Sequence, residues 1–328
     1  ITPNKSLIAK HGDYLSILAE KNKVNLEFEA SVGGGIPILR TLKESLATNK
    51  FNKVVGILNG TSNYILSEME KSKNSFKKVL SKAQSLGYAE PGNPKLDLNG
   101  YDALSKVKIL SSLAFNKKIS KFKCLMEGIE NLDIKDIELA KQLGLRIKLL
   151  GITELINNKL FERVHPCLVG KDTYLGNING AMNAVILNSL PVGETVLQGE
   201  GAGPGPTSSA LLSDLLSILR GNIKYPFGIS FNKRKTIKNY NIDNYTNSLY
   251  LRFEVKDKPG VLSEITNRLA KNNISVKRII QTPDKKNNRA TIVIITHKTK
   301  EHDSKKCLFF FKNNKNIVKR PILIRLFN

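Results

Sequence analysis

Between Ala83 and Lys106 the chain reads A-x3-G-Y-A-x3-N-P-x2-D-L-x-G-x-D-x3-K, and this string constrains the molecule more than any other part of it. A turn rich in Gly, Pro and Asn carries Glu90, Asp97, Asp102 and Lys106 into one short region that then becomes helical. Asp102 and Lys106 stand four residues apart, so on a helix they share a face and can touch. Such a pair in isolation is most often a solvated salt bridge of little energetic weight. A lysine beside a carboxylate can also carry protons, with the carboxylate holding its position and charge.

Around this string, 328 residues are enough for two domains with cores of ordinary size, and a hydrophobic share of 41% agrees with a globular protein. The formal charge of +24 raises the question of a nucleic-acid or anionic-membrane binder. The lysines are spread along the chain among many asparagines, without an Arg-rich stripe or aromatic interleaving, which points to a compositional habit instead. Cys124, Cys167 and Cys307 are isolated and odd in number, so neither a disulfide framework nor a zinc spacing is expected. With no apolar run near the roughly 18 residues needed to span a bilayer, the expectations are no membrane partner, no nucleic acid and a reducing, cytoplasmic setting.

Periodicity places a helix over Lys5 to Glu20, a strand over Val24 to Phe28 and a helix from Ile38 to Leu46 behind Pro37. Lys53 to Leu58 reads as a buried strand, and Thr61 as the N-cap of a helix through Met69. Further helices are expected at Phe76 to Leu86, Tyr101 to Ala114 and Ile134 to Leu143. Arg146 to Leu155, Lys159 to Leu168 and two short runs around Asn183 to Gln198 read as one mixed or antiparallel sheet, with Asn157-Asn158 as a hairpin turn. Gly199 to Pro206 is a loop feeding Thr207, a second expected N-cap, and an amphipathic helix to Leu219. Residues 233–248 are polar and aperiodic, a linker; beyond them the order is βαββαβ, with the turn Asp257-Lys258-Pro259-Gly260 after the first strand.

Every fixed position of the 83–106 string is occupied as in the signature of homoserine dehydrogenases, and the chain resembles that family along most of its length. Asn4-Lys5 with Leu7-Ile8-Ala9, the block Phe28 to Pro37, and Gly56 to Tyr64 follow in family order, and the module after about residue 248, with its D-x-P-G-V-L turn, resembles an ACT domain. The fold implied is α/β plus α+β: the remnant of a Rossmann nucleotide-binding domain (1–50), an α+β substrate and dimerisation domain with a mixed sheet (51–206), a helix returning to the nucleotide domain (207–232), the linker, and an ACT regulatory domain (249–328). Ile1 to Lys5 resembles the close of the family's nucleotide-binding half, so the G-x-G-x-x-G loop and the ribose-reading acid are expected upstream of Ile1. Gly33-Gly34-Gly35 does not supply that fingerprint.

The resemblance implies NAD(P)-dependent interconversion of L-homoserine and L-aspartate 4-semialdehyde, a step toward threonine and methionine. Lys106 is then the proton donor and acceptor, Asp102 binds substrate beside it, Glu90 takes the substrate ammonium, and Asp97 supports them. The segment from Glu90 to Asp97 uses the longer of the two spacings the signature allows. Lys5, Gly87 and Gly203 are implied to meet the dinucleotide. The positions Glu29, Val32, Gly34 and Ile36 are implied to hold a structural sodium ion, against the plainer reading of a tight glycine turn. Asp257, Pro259 and Gly260 open a helix whose free N–H groups would take an amino-acid effector, threonine by implication, against plain dimerisation. A homodimer or homotetramer is expected. The rival from another class is a non-catalytic amino-acid sensor keeping its ACT module, and the third is a charge-driven nucleic-acid binder.

Overall fold

The computed structural model describes residues 1–92, 94–221, 225–284 and 287–327; Asn93 of the 83–106 string lies outside them. In chain order the helices are α1 (Lys5–Lys21), α2 (Ile38–Arg40), α3 (Gly60–Ser72), α4 (Phe76–Ser85), α5 (Lys95–Leu98), α6 (Tyr101–Ala114), α7 (Ile134–Gln142), α8 (Tyr174–Asn177), α9 (Pro204–Leu219), α10 (Val261–Ala270) and α11 (Glu301–Phe310). The strands are β1 (Lys50–Ile57), β2 (Leu125–Met126), β3 (Leu145–Ile156), β4 (Lys159–Gly170), β5 (Met182–Leu190), β6 (Gly193–Glu200), β7 (Thr246–Asn247), β8 (Leu249–Lys256), β9 (Val276–Asp284), β10 (Arg289–Thr296), β11 (Thr299–Lys300) and β12 (Ile317–Leu326).

Among the described residues ten strands form one sheet, ordered β6-β5-β1-β3-β4-β12-β8-β10-β9 with β2 on β4. The β3–β4 hairpin pairs Leu145 with Gly170 and Ile156 with Lys159, and its two-residue turn takes Asn157 and Asn158 to φ 50° and 58°, the left-handed pair such a turn demands. Alternation along β1 sends Val54 to one face and Val55 to the other, each into a separate apolar cluster. α6 lies in the larger cluster and is buried on nearly every side, which is why its sequence is small and apolar almost all round. The C-terminal strands run β12-β8-β10-β9, and with α10 and α11 they complete the expected βαββαβ unit.

Three expectations are corrected. Val24–Phe28 is not a strand: it belongs to no ladder, and Thr2 N–H bonds Glu27 O in its place. The N-cap of α3 is Asn59, not Thr61, because the Asn59 side-chain oxygen Oδ1 accepts Ser62 N–H at 2.8 Å. α9 begins at Pro204 behind Gly203, not at Thr207; proline at the first helical position needs no N–H there. β12 lies parallel to β4, pairing Arg325 with Cys167, so the C-terminal unit continues the same sheet. The helix expected over Ile38 to Leu46 is present, but its second part, Thr41–Ser45, is wound as a π-helix.

The 233–248 stretch crosses between the lobes without being free chain. Lys235 exchanges backbone bonds with Asn116 and Lys118, and Leu160 does so with Lys238 and Tyr240. Arg234 is buried, with one guanidinium nitrogen 2.6 Å from Asp13 and another 3.1 Å from the Lys117 carbonyl.

Candidate active site

α6 starts behind Gly100, whose φ of 88° turns the chain sharply from α5 into the helix and so brings Asp97 and Asp102 together. Asp102 and Lys106 are each 7% exposed. A charged pair this enclosed is not a solvated surface bridge, because removing both groups from water is costly unless their bonds are satisfied.

They are satisfied by a dense network. Lys106 Nζ donates to Asp102 Oδ2 at 2.8 Å and to the Leu58 carbonyl at 2.6 Å, at the end of β1. Lys5 Nζ sits 2.9 Å from the other oxygen of Asp102. The Asn59 amide nitrogen donates to Asp97 Oδ1 at 2.8 Å and to Asp102 Oδ2 at 2.9 Å. Burial pushes the Asp102 carboxyl up, but Lys106, Lys5 and Asn59 together outweigh it and hold the group down at about 2. Asp97 is different: burial dominates, and its carboxyl is raised despite Asn59 and the two lysines.

This network forms part of the wall of a cavity of about 720 Å³ that Lys5, Asn59, Asp97, Asp102 and Lys106 all line. Gly60 and Thr61 bring the N-terminus of α3 to it, and Gly203 and Thr207 bring that of α9. Gly87 and Tyr88 form a further side, tied to α3 by a bond from the Thr61 hydroxyl to the Tyr88 carbonyl. Gly87 and Gly203 both take positive φ, 77° and 116°.

Of the residues singled out in the sequence, Lys5, Gly87, Asp97, Asp102, Lys106 and Gly203 meet at this cavity. Glu90 does not. It is exposed at the start of the Pro91-Gly92 turn, outside the cavity lining, and its carbonyl accepts from Gln84. Asn59 and the Leu58 carbonyl were not singled out, although Asn59 stands in the Gly56 to Tyr64 block; a lone Asn before a helix signals a cap, not a second bond to a carboxylate.

The Glu29–Ile36 loop packs against the 200–203 loop. Gly34 lies so close that a Cβ there would stand 2.6 Å from the Gly201 carbonyl carbon. The Glu29 carboxylate accepts the N–H groups of Leu39 and Arg40, both at 2.8 Å, at the start of α2, so it is not turned to the loop as a cation ligand. Burial raises this carboxyl to about 7, against the two amides and Lys43. Among the described residues no group of three or more His, Cys, Asp or Glu side chains could hold a metal.

In the C-terminal unit Asp257, Pro259 and Gly260 share a shallow cavity of about 470 Å³ with Gln281 and Ile292, and Gly260 (φ 89°) caps α10.

Comparison with known proteins turns on these same elements. The homoserine dehydrogenase family model matches residues 37–216, which hold the α5–α6 turn and both helix N-termini at the cavity. The chain belongs to the homoserine dehydrogenase family. A homoserine dehydrogenase of Neisseria gonorrhoeae is 43% identical over 94% of the chain and 72% of its own length, and one of Helicobacter pylori is 39% identical over 100% and 77%. The crystal structure of a homoserine dehydrogenase from Thiobacillus denitrificans superposes with a TM-score of 0.92 at 36% identity, covering all of this chain and 76% of that one. An ACT domain matches residues 249–306. The family assignment makes the chain an NAD(P)-dependent oxidoreductase acting on homoserine, and the catalytic reading of its sequence prevails over the non-catalytic one. No helix among the described residues is long and apolar enough to cross a membrane.

Proposed function

We propose that the Lys106 amine is the proton carrier in the interconversion of L-homoserine and L-aspartate 4-semialdehyde. One observation carries this: an ammonium has three N–H donors, and Lys106 commits two of them, to Asp102 and to the Leu58 carbonyl. The remaining donor serves the substrate oxygen in the reducing direction. In the oxidising direction the neutral amine accepts the hydroxyl proton as the C–H bond gives up its hydride. Asp102, held at about 2, stays ionised, so the proton taken by Lys106 stops there and is not passed to the carboxylate.

The nicotinamide dinucleotide, when bound, supplies the hydride acceptor or donor. The cavity suits it: Lys5 brings a cation to the wall, and Gly87 and Gly203 set no side chain across their loops. Pro204 and Pro206 have no N–H, so Gly203 and Gly205 provide the free amides for an anionic group at the start of α9. NADP is named in complex with one hyperthermophilic archaeal homoserine dehydrogenase as NADPH, a structure matched at a TM-score of 0.59 and 27% identity over 68% of this chain and 65% of that one. For this chain either NAD or NADP is compatible with the reading. Asp97 takes the substrate ammonium; Glu90, exposed in this structure, is given no contact with it.

Finer assignments follow the same reading. A sodium ion in the Glu29–Ile36 loop would draw on the backbone carbonyls of Glu29, Val32, Gly34 and Ile36, since the Glu29 side chain is committed to α2. The start of α10, with Asp257, Pro259 and Gly260, would bind threonine as effector through its unpaired N–H groups. The protein would work in the cytoplasm as a homodimer or a homotetramer.

The test is homoserine-dependent reduction of NAD and of NADP by the full chain, beside 4-hydroxybutyrate, which lacks the ammonium. The reading expects turnover with homoserine and a loss of at least tenfold in kcat/KM with the analogue. Equal turnover of the two would remove Asp97 from ammonium recognition, and no homoserine-dependent turnover with either cofactor would remove the reading itself.

A further inference from the structure

Asn59 is the group whose geometry the reaction above leaves unused. The residue is 6% exposed, and its side chain makes three bonds at once. The carbonyl oxygen accepts Ser62 N–H at 2.8 Å, and since a backbone N–H can only donate, this fixes which end of the amide is oxygen. The nitrogen is therefore turned the other way, and there it meets Asp97 Oδ1 and Asp102 Oδ2 at 2.8 and 2.9 Å.

Two carboxylates brought to one atom repel, and such a pair ordinarily settles by one of them holding a proton. A donor between them lessens that pressure. A lysine there would serve, but its charge would also push down the affinity of Lys106 for a proton, whereas an amide supplies two N–H groups without a charge. From this geometry we infer that Asn59 is a positioning residue for the proton transfer: clamped as the cap of α3, it holds Asp97 and Asp102 side by side so that Asp102 can orient Lys106. The inference rests on the proposed role of Lys106.

The cap makes the role separable from folding. Ser and Asp both cap helices about as well as Asn, so Asn59→Ser and Asn59→Asp keep the bond to Ser62 while removing the amide donors. In the full chain, Asn59→Ser is expected to melt within a few degrees of wild type, Asn59→Asp to melt lower because it adds a buried carboxylate beside two others, and both to lose at least tenfold in kcat/KM for homoserine. Asn59→Asp adds a third carboxylate facing Lys106, so the limb of the pH profile in which the amine must lose its proton moves alkaline by about one pH unit; Asn59→Ser shifts it less. Wild-type turnover and profile in Asn59→Ser would overturn the inference. So would a loss of activity in Asn59→Ser matched by a large fall in its Tm, which would make the bonds of Asn59 to the two carboxylates a matter of stability and not of proton transfer. Lys106→Ala is assayed alongside: if that variant turns over normally the proton-carrier reading fails, whereas an inactive Lys106→Ala beside a normal Asn59→Ser removes only the role of Asn59.

Discussion

At the scale of single residues, the spacing of Asp102 and Lys106 was legible because a helix imposes it, but their burial was not. Four-residue spacing says that two groups can touch and nothing about whether water surrounds them; that depended on α6 running through the core, which the smallness of Ala103, Ser105, Ser111 and Ser112 only hints at. Glu90 is the opposite case. It holds its place in the string, yet the structure leaves it exposed beyond the cavity, since a turn of Pro and Gly fixes order along the chain better than direction in space. Gly34 also gives a prediction at this scale. With φ at 55° and the Gly201 backbone where a Cβ would go, Gly34→Ala must separate two loops, because a backbone atom cannot rotate aside. We expect a loss of about 2 kcal/mol or more in urea unfolding together with weaker cofactor binding, as the Gly203 loop is displaced. Wild-type stability in that variant would mean that the contact is looser than it is drawn.

At the scale of elements, helices and hairpins were legible where period and turn chemistry agreed, as in α6 and the Asn157-Asn158 hairpin. Helix starts were less so. Thr61 and Thr207 are good capping residues in sequence, but Asn59 and the Gly203-Pro204 step begin their helices earlier, and the hydroxyl of Thr61 is spent on the Tyr88 carbonyl. The seating of α3 on β3 gives a pH prediction. Lys148 is 2% exposed on β3 and donates to Asn63 Oδ1 at 3.1 Å and to the Ile178 carbonyl. Burial first, then the nearby Arg146, lowers its amine from an ordinary 10.5 to about 8. Between those values the unfolded chain binds the proton that the folded chain has released, so stability contributed at this site rises with pH from about 8 to 10.5. Relative to Lys148→Met, which does not titrate, the wild type should gain on the order of 1 to 3 kcal/mol over that window. A constant difference between the two proteins in urea unfolding at each pH would contradict the shift.

At the scale of the whole molecule, the two lobes were legible as units but their union was not. Pairing of β12 with β4 joins positions far apart in the chain, and no local period reports it. The same limit misled the reading of Val24–Phe28, whose composition suits a strand but which has no ladder partner among the described residues. Two buried arginines reach across this seam. Arg325 on β12 is 2% exposed and donates across the seam to the part-exposed Glu127 at 2.7 and 3.1 Å, and within its own unit to the buried Glu301 at 3.1 Å through Nε, while Arg252 on β8 grips Asp136 of α7 at 2.6 and 3.0 Å. Removing Arg325 leaves Glu301 charged and buried, so Arg325→Ala should cost about 3–5 kcal/mol in thermal or urea unfolding. The double variant Arg325→Met with Glu301→Leu should recover much of that. Unchanged stability in Arg325→Ala would mean that the Arg325 ion pairs contribute nothing to the fold.

The central claim, that the Lys106 amine carries the proton, is tested most directly by replacing it and supplying an amine from solution. Lys106→Ala in the full chain should lose about 10²- to 10⁴-fold in kcat for homoserine oxidation, the usual weight of a positioned acid–base group, while keeping its affinity for the dinucleotide. Added methylamine or ethylamine should restore part of the rate in proportion to the concentration of the free base. Near-normal turnover by Lys106→Ala with no amine present would contradict the account.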